Sequence, residues 1–245
     1  MKEKIAIVTG ASRGIGKAVA EFLASKNYFV ILIARNKELL EKNCAQIISA
    51  GGKATYYALD ITDINKIKNC IQKIITDHQQ INLLFNNAGI AKVGTVTITD
   101  QEILETLDTN LKGALFFAKY VALQMKEQRS GYIINLSSLS GKISSSNLGA
   151  YNASKFGLNG FSEALSKEMS AYGVKITTIC PGLVATDMTA GFNFDHNEMI
   201  QTSDICQTLD YLLRLSPTAL PLEISLHCVP FITKMATAEE RIFEP

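Results

Sequence analysis

The chain has 245 residues, of which 47% are hydrophobic and 19% charged, with 24 Lys and Arg against 23 Asp and Glu. A composition this apolar can bury a large core, which excludes an intrinsically disordered chain. The net charge of +1 disfavours a nucleic-acid partner, because such proteins normally have a basic excess. No apolar run reaches the roughly 18 residues of a membrane-spanning helix, and no signal-peptide core follows Met1. We therefore expect a cytoplasmic protein without a membrane partner.

The cysteines and histidines show no spacing typical of a metal site. None of the five cysteines forms a CxxC pair, and His78, His196 and His227 are scattered along the chain. We expect buried, reduced thiols and no bound metal.

Short apolar segments alternate with longer segments of helical periodicity along the whole chain. Strands are predicted at Ile5–Val8, Phe29–Ile33, Thr55–Ala58, Leu83–Phe85, Tyr132–Leu136, Val174–Ile179 and Ile224–Val229. Helices are predicted near 15–26, 37–50, 63–78, 100–128, 150–172 and 203–214. Continuous apolar strands are typical of a parallel sheet that is covered on both faces. The alternation predicts one α/β domain over 1–230, a doubly wound parallel sheet of about seven strands, followed by a tail at 231–245.

A glycine-rich turn, TGASRGIG at residues 9–16, directly follows the first predicted strand. Glycines at such a turn let the backbone approach a pyrophosphate, and the helix that begins there presents free N–H groups. A tight strand-to-helix connection is the alternative, since a glycine-rich turn alone is weakly specific. Its position after the first strand favours a dinucleotide site.

The residues after the second predicted strand bear on the choice of cofactor. An acidic side chain there would bind the ribose 2′-hydroxyl and select NAD. Ala34 and Arg35 occupy this position, and Arg13 lies in the glycine-rich turn. Two guanidinium groups and no carboxylate suit a 2′-phosphate, although both arginines could be ordinary solvent-facing residues. NADP(H) is therefore expected in preference to NAD(H).

Tyr151 and Lys155 are four residues apart, so they share one face of the predicted helix 150–172. A tyrosine keeps its proton up to about pH 10, and a nearby ammonium group lowers that pKa toward the range of acid–base catalysis. Ser138, at the end of a predicted strand, could donate a hydrogen bond to a carbonyl oxygen that gains negative charge. An interface tyrosine and a solvated lysine are the alternative. The upstream serine and the glycine-rich turn favour catalysis.

With these motifs in this order, the chain resembles the short-chain dehydrogenase/reductases from residue 5 to about residue 229. The resemblance implies a single-domain Rossmann-type fold. It implies that Tyr151 donates a proton to the substrate carbonyl, that Lys155 lowers the tyrosine's pKa and binds the nicotinamide ribose, and that Ser138 polarises the carbonyl. It also implies that Asn110 holds a water of a proton relay to Lys155, although an asparagine within a helix can instead bridge the backbone.

The resemblance further implies the remaining cofactor contacts. Asp60 would accept a hydrogen bond from the adenine amino group, although Asp also commonly begins a turn. The Asn86–Gly89 segment would line the adenosine ribose, and Val184 and Thr186 would contact the nicotinamide carboxamide. The full expected cofactor set is Gly10, Ser12, Arg13, Gly14, Ile15, Gly16, Arg35, Asp60, Ile61, Asn87, Ala88, Gly89, Tyr151, Lys155, Pro181, Gly182, Val184 and Thr186.

The end of the chain departs from the family pattern. The segment between Thr186 and the helix near Ser203 is short, and Val229-Pro230 stands where family members usually have a Gly-Gly pair. Because the family's C-terminal end often builds one interface of a tetramer, dimer and tetramer both remain open. A homo-oligomer is expected through helices 100–128 and 150–172, because small residues on helix 150–172 would let another helix approach closely. The same small residues would also suit packing within the chain. These residues are Ala153, Gly157, Gly160 and Ala164.

The leading hypothesis is an NADPH-dependent carbonyl reductase for a small-molecule substrate, reversible as an alcohol dehydrogenase. The alternative is a 3-oxoacyl-carrier-protein reductase of fatty-acid synthesis, since relatives with similar glycine-rich and Asn86–Gly89 motifs often have that activity. Carrier-protein docking needs basic residues beside the site, for which Arg129 would serve and Tyr172 would not. A non-catalytic NADPH-binding regulator is disfavoured because every catalytic residue is present.

Overall fold

A computed structural model describes residues 3–234 and contains a seven-stranded sheet in the order β3-β2-β1-β4-β5-β6-β7. Every pairing between neighbouring strands is parallel. The strands are β1 (Lys4–Thr9), β2 (Tyr28–Ala34), β3 (Lys53–Ala58), β4 (Leu83–Asn86), β5 (Gly131–Leu136), β6 (Val174–Pro181) and β7 (Glu223–Leu226). The predicted doubly wound parallel sheet is confirmed. Its strand order reverses between β1 and β4, which is where such sheets hold ligands at the carboxyl ends of their strands.

Seven α-helices connect the described strands and cover both faces of the sheet. They are α1 (Gly14–Ser25), α2 (Lys37–Ser49), α3 (Ile64–His78), α4 (Asp100–Leu107), α5 (Ala114–Gln128), α6 (Gly149–Met169) and α7 (Thr202–Arg214). The predicted helix 100–128 is wrong as one regular helix, because a π-helical segment, Asp108–Gly113, separates α4 from α5. Such segments are rare in proteins overall, and those that occur are often found at functional sites. No helix within residues 3–234 is long and apolar enough to cross a membrane.

Alternate side chains of each strand enter two separate apolar layers. Along β1, Ala6 and Val8 pack with α1, α2 and α7, whereas Ile5 and Ile7 pack with α3 and α5 on the other face. All four side chains are almost completely buried. This two-sided burial explains why the strands read as continuous apolar runs. All five cysteines are unpaired and buried, as predicted.

The last part of the described chain differs from the sequence prediction. Strand β7 ends at Leu226, three residues before the predicted end at Val229. A helix instead runs over 229–234, with Pro230 in its first turn, where proline's missing N–H is tolerated. The predicted tail at 231–245 thus begins inside this helix, and its residues 235–245 lie outside the described part of the chain.

Candidate active site

The sequence motifs meet at one edge of the sheet. Because every strand pair is parallel, the carboxyl ends of β1, β4, β5 and β6 lie side by side. The glycine-rich turn follows β1, the Asn86–Gly89 segment begins at the end of β4, Ser138 follows β5, and residues 182–186 follow β6. We call this the active edge.

The glycine-rich turn fits a phosphate group. Gly10 and Gly14 have φ values of +68° and +53°, which L side chains rarely adopt. A Cβ at Gly10 would lie 2.6 Å from the Asn87 side chain, and one at Gly16 would collide with the Gly10 carbonyl oxygen. Helix α1 begins here, and the side chain of its N-cap residue, Arg13, makes no capping hydrogen bond. The positive end of the helix is therefore open to an anion.

The hydroxyl of Thr9 joins this turn to the end of β4. Its Oγ1 accepts hydrogen bonds from the backbone N–H groups of Asn87 (2.9 Å) and Ala88 (3.1 Å) and donates to Asn86 Oδ1 (3.3 Å). Asn87 Nδ2 donates to the Thr9 carbonyl oxygen at 2.8 Å. Two segments that are distant in sequence thus form one rigid wall of the active edge.

Asn43, which the sequence analysis missed, holds the glycine-rich turn from the other side. It lies on α2 and is almost completely buried, and its Nδ2 donates to the carbonyl oxygens of Ala11 and Ser12, both at 3.0 Å. A polar residue inside the apolar stripe of Leu40, Cys44 and Ile47 was the available signal.

Ser138 and Tyr151 bring their hydroxyl groups together. Tyr151 lies in the first turn of α6, and its phenol is close enough to Ser138 for that side chain to influence the pKa of the tyrosine. Ser138 Oγ accepts a hydrogen bond from the Ser140 N–H at 3.1 Å. Burial raises the pKa of Tyr151 above its ordinary value, and the adjoining Ser138 side chain lowers this pKa by less. The tyrosine therefore holds its proton at neutral pH.

Lys155 lies deeper beneath the same face of α6. Its Nζ donates to the Leu136 carbonyl oxygen at 2.9 Å and is 5.7 Å from the centroid of the Tyr151 ring. Burial lowers the pKa of Lys155 to about 8. The pKa of Tyr151 is raised because its phenol is desolvated, and the lowering by Lys155 that the resemblance implies stays a prediction.

Asn110 lies in the π-helical segment and uses its side chain to bridge the backbone. Its amide donates to the Ile90 carbonyl oxygen and accepts from the Ile90 N–H, both at 2.8 Å. Its Nδ2 also donates to Ser154 Oγ at 3.2 Å. The side chain thus makes the structural contacts considered as the alternative, joining the loop after β4 to α6.

The other expected cofactor residues near β2 and β3 lie at the same edge. Arg35 is exposed directly after β2. Asp60 Oδ1 accepts a hydrogen bond from the Thr62 N–H at 2.9 Å, so this aspartate does begin a turn. Buried Ile61 supports the π-helical segment, since a Cβ at Gly113 would lie 2.6 Å from its carbonyl oxygen.

The segment after β6 reaches back to the glycine-rich turn. Pro181 ends β6, the Gly182 N–H donates to Leu226 O at 2.8 Å, and Val184 pairs with Ile200. A Cβ at Gly14 would lie 3.3 Å from the Thr186 methyl group. The exposed side chains of Arg13 and Asp187 form an ion pair at 3.6 Å.

A substrate lid, defined here as residues 187–199, is held by the 229–234 helix. The rings of Phe194 and Phe231 meet edge to face, with centroids 6.0 Å apart. Lys234 Nζ lies 4.2 Å from the centroid of the Phe194 ring and 2.6 Å from the Glu198 carboxylate. The Cys228 thiol donates to the Glu198 carbonyl oxygen at 3.2 Å. The sequence analysis found the departure at Val229 but not this contact.

Comparisons with known proteins agree with this geometry. The family model described as short chain dehydrogenase matches residues 4–197. The chain belongs to the short-chain dehydrogenase family. An uncharacterized oxidoreductase of Staphylococcus epidermidis is 32% identical over 214 residues, covering 87% of this chain and 92% of that protein. The 3-oxoacyl-[acyl-carrier-protein] reductase FabG of Haemophilus influenzae is 37% identical over 190 residues, covering 77% of each chain.

Solved structures of short-chain dehydrogenases share the fold. A metagenomic short-chain oxidoreductase in complex with NADP has a TM-score of 0.83 and 30% identity, covering 92% of this chain and 97% of that one. A β-ketoacyl-[ACP] reductase from Bacteroides thetaiotaomicron has a TM-score of 0.84 and 34% identity, covering 95% and 100%. This short-chain dehydrogenase is thus an oxidoreductase. Its α7, β7 and 229–234 helix lie beyond residues 4–197, the part of the chain that the family model matches.

The buried Lys155 makes the stability of this short-chain dehydrogenase depend on pH. Its pKa is about 8 in the fold against 10.5 for an exposed lysine, so between these values the unfolded chain binds the extra proton. The free energy of unfolding of the wild type should therefore rise from pH 8 to pH 10.5, relative to Lys155→Met, by about 3 kcal/mol. Urea unfolding of both proteins at several pH values measures this difference, in which other titrating groups cancel. Parallel curves would contradict the assignment.

Proposed function

We propose that this short-chain dehydrogenase is an NADPH-dependent carbonyl reductase that runs in reverse as an alcohol dehydrogenase. The observation that carries the proposal is that Ser138 and Tyr151 adjoin each other at the same edge as the open N-terminus of α1. A proton donor beside a phosphate-binding turn suits reduction of a carbonyl by a bound nicotinamide. The NADP complex of the metagenomic relative supports the choice of cofactor.

The side chains of the active edge have separate tasks in this reaction. Bound NADPH supplies a hydride to the carbonyl carbon. Tyr151, which burial keeps protonated, donates its proton to the carbonyl oxygen. Ser138 donates a hydrogen bond to that oxygen as negative charge develops on it. Lys155, with a pKa of about 8, exchanges protons near neutral pH and is suited to restore the proton of Tyr151.

The preference for NADPH rests on charge. Ala34 ends β2 without a carboxylate, exposed Arg35 follows it, and Arg13 lies in the glycine-rich turn. Arg13 already pairs with Asp187 at 3.6 Å, but both side chains are about 70% exposed, and such pairs are weak enough to yield to a phosphate.

A second candidate is a 3-oxoacyl-carrier-protein reductase, because relatives from Haemophilus influenzae and Escherichia coli with 36–37% identity carry that name. Carrier-protein docking needs basic groups, and two lie near Tyr172. Lys126 Nζ is 4.4 Å and Arg129 Cζ is 5.8 Å from the centroid of its ring. However, Arg129 precedes β5 and Tyr172 precedes β6, at the opposite edge of the sheet from Ser138. The six-residue β5 spans about 20 Å, so these cations lie far from the active edge of their own chain.

We also propose a homo-oligomer formed through the predicted helices 100–128 and 150–172. Leu123 on α5 and Phe156 on α6 are large, exposed apolar side chains. A Cβ at Gly160 would meet no described atom within 4 Å, so this face of α6 is open to another helix. Gly157 instead packs within the chain, against Leu111.

Removing the tyrosine proton should abolish turnover and leave cofactor binding intact. Tyr151→Phe keeps the ring, so NADPH affinity should be unchanged while kcat falls by about 100-fold or more. Ser138→Ala should lower kcat with little effect on NADPH affinity, because its hydrogen bond matters most as charge develops. Steady-state kinetics over ketones, aldehydes, quinones and 3-oxoacyl thioesters, with NADPH titration by fluorescence, measures both. Near-wild-type kcat for Tyr151→Phe would refute its role as general acid.

The cofactor preference should be visible in kinetics with both dinucleotides. kcat/KM should favour NADPH over NADH by at least about tenfold, or about 1.4 kcal/mol. Combining Ala34→Asp with Arg35→Ala should shift the preference toward NADH, because it introduces a ribose acceptor and removes a phosphate ligand. Lys37→Ala, which removes a nearby exposed cation paired with Glu41, is the control. Equal efficiency with the two dinucleotides would overturn the proposal.

The oligomer should depend on the exposed face of α5 and α6. Light scattering at micromolar concentration should give the mass of a dimer or tetramer, and Phe156→Glu should lower it by placing a charge in an apolar interface. Ile48→Glu, on exposed α2, should leave the mass unchanged. A monomeric wild type would remove the proposal.

A further inference from the structure

The loops that surround Tyr151 expose an unusual number of large apolar side chains. Val93 and Val96 are 73% and 94% exposed on the loop 90–99, and Ile143 is 71% exposed on the loop 139–148. Met188 and Phe192 are also exposed, on the first part of the substrate lid. Single exposed apolar residues are ordinary, but a group of them around one site marks a binding surface.

Hydrogen bonds hold two of these loops beside Tyr151. The Gly94 N–H donates to Asn147 O at 2.6 Å, and the Gly149 N–H donates to Thr95 Oγ1 at 3.1 Å, so the loop 90–99 is fixed to the start of α6. Asn152, the neighbour of Tyr151, donates from its Nδ2 to the Ser145 carbonyl oxygen at 2.8 Å. The two loops that carry these apolar side chains are therefore fixed to the first turn of α6, which holds Tyr151.

The third loop reaches the same place from β6. Leu139, which directly follows Ser138, lies 3.2 Å from the position of a Cβ at Gly182. The lid begins at residue 187, five residues after Gly182 and directly after Thr186, which lies against the glycine-rich turn. Met188 and Phe192 thus follow directly on a segment that adjoins both Leu139 and the glycine-rich turn.

The charged side chains on these loops are neutralised in ion pairs. Lys92 pairs with Glu102 at 3.6 Å, Lys142 pairs with Glu223, and Asp187 pairs with Arg13 at 3.6 Å. Lys92, Lys142 and Asp187 are the charged residues of the ranges 90–99, 139–148 and 187–194. Farther along the lid, Asp195 adds a negative charge, and Glu198 is paired with Lys234. The mouth of the site therefore offers apolar contact and no net positive charge to attract a carboxylate or phosphate.

From these observations we infer that the substrate is a neutral carbonyl compound with an apolar group beside the carbonyl, rather than an oxo acid or a phosphorylated sugar. This inference rests on the proposed carbonyl reduction and names its substrate class. The apolar group would lie against Val96, Ile143 and Met188, while the carbonyl oxygen meets Ser138 and Tyr151.

Two matched sets of ketones test the inference with the wild-type enzyme and NADPH. In the series from 2-butanone to 2-octanone, kcat/KM should rise about three- to fourfold for each added methylene, as expected for apolar burial. Acetophenone should be reduced at least about tenfold more efficiently than 4-acetylbenzoate, which differs by one carboxylate. Equal or better reduction of 4-acetylbenzoate, or no dependence on chain length, would overturn the inference.

Single substitutions test which side chains cause the dependence of kcat/KM on ketone chain length. Val96→Ser and Ile143→Ser should flatten the chain-length series without changing the melting temperature, because both side chains are exposed. Ile48→Ser makes the same kind of substitution at an exposed position on α2, far along the chain from these loops, and should leave the chain-length series unchanged. An equal effect of Ile48→Ser, or a changed oligomer mass in Val96→Ser, would show that these residues do not meet the substrate.

A binding measurement separates this inference from the proposed function. Saturation-transfer NMR on the NADPH-loaded enzyme should detect 2-octanone with the wild type and much less with Ile143→Ser. If 2-octanone binds in this way but no carbonyl compound is reduced, the substrate class stands and the proposed reaction fails. If carbonyl compounds are reduced without any apolar preference, the reaction stands and the substrate class fails.

Discussion

The hydrogen bonds of the Thr9 hydroxyl are the contact on which the active edge depends. This one oxygen accepts two backbone N–H groups from the segment after β4 and donates to Asn86, at the point where the strand order reverses. The glycine-rich turn and the segment after β4 are consequently fixed relative to each other before any ligand binds. Asn43 fixes the same turn from α2. A preorganised turn spends little binding energy on ordering itself around a dinucleotide.

Burial shifts the pKa values of Tyr151 and Lys155, the two titratable groups that α6 brings to the active edge, in opposite directions. Desolvation disfavours the charged form of each, so the pKa of Tyr151 rises and that of Lys155 falls to about 8. A protonated phenol near a lysine that titrates close to neutral pH suits reduction, in which the tyrosine gives up a proton and must regain it. The same burial costs folding free energy, as expected where function rather than stability fixes a residue.

The sequence predicted the architecture well because both faces of the sheet are buried, which makes each strand a continuous apolar run. It also predicted the glycine-rich turn, Ser138 and Tyr151, because local chemistry requires those residue types. It did not predict contacts that depend on tertiary placement. The bond from Lys155 to Leu136 O, the clamp by Asn43 and the π-helical segment around Asn110 all depend on neighbours distant in sequence. The end of β7 was placed too late because His227-Cys228-Val229 is apolar enough to continue a strand.

The proposed reaction at the active edge transfers a hydride from NADPH to a carbonyl carbon. Reduction of an apolar ketone with NADPH that carries deuterium at the transferable C4 position tests it directly. We expect an alcohol with one deuterium on the carbinol carbon, detected by mass spectrometry and NMR, and with its exchangeable hydroxyl proton drawn from solvent. An alcohol without carbon-bound deuterium, or NADPH consumption without alcohol, would contradict it.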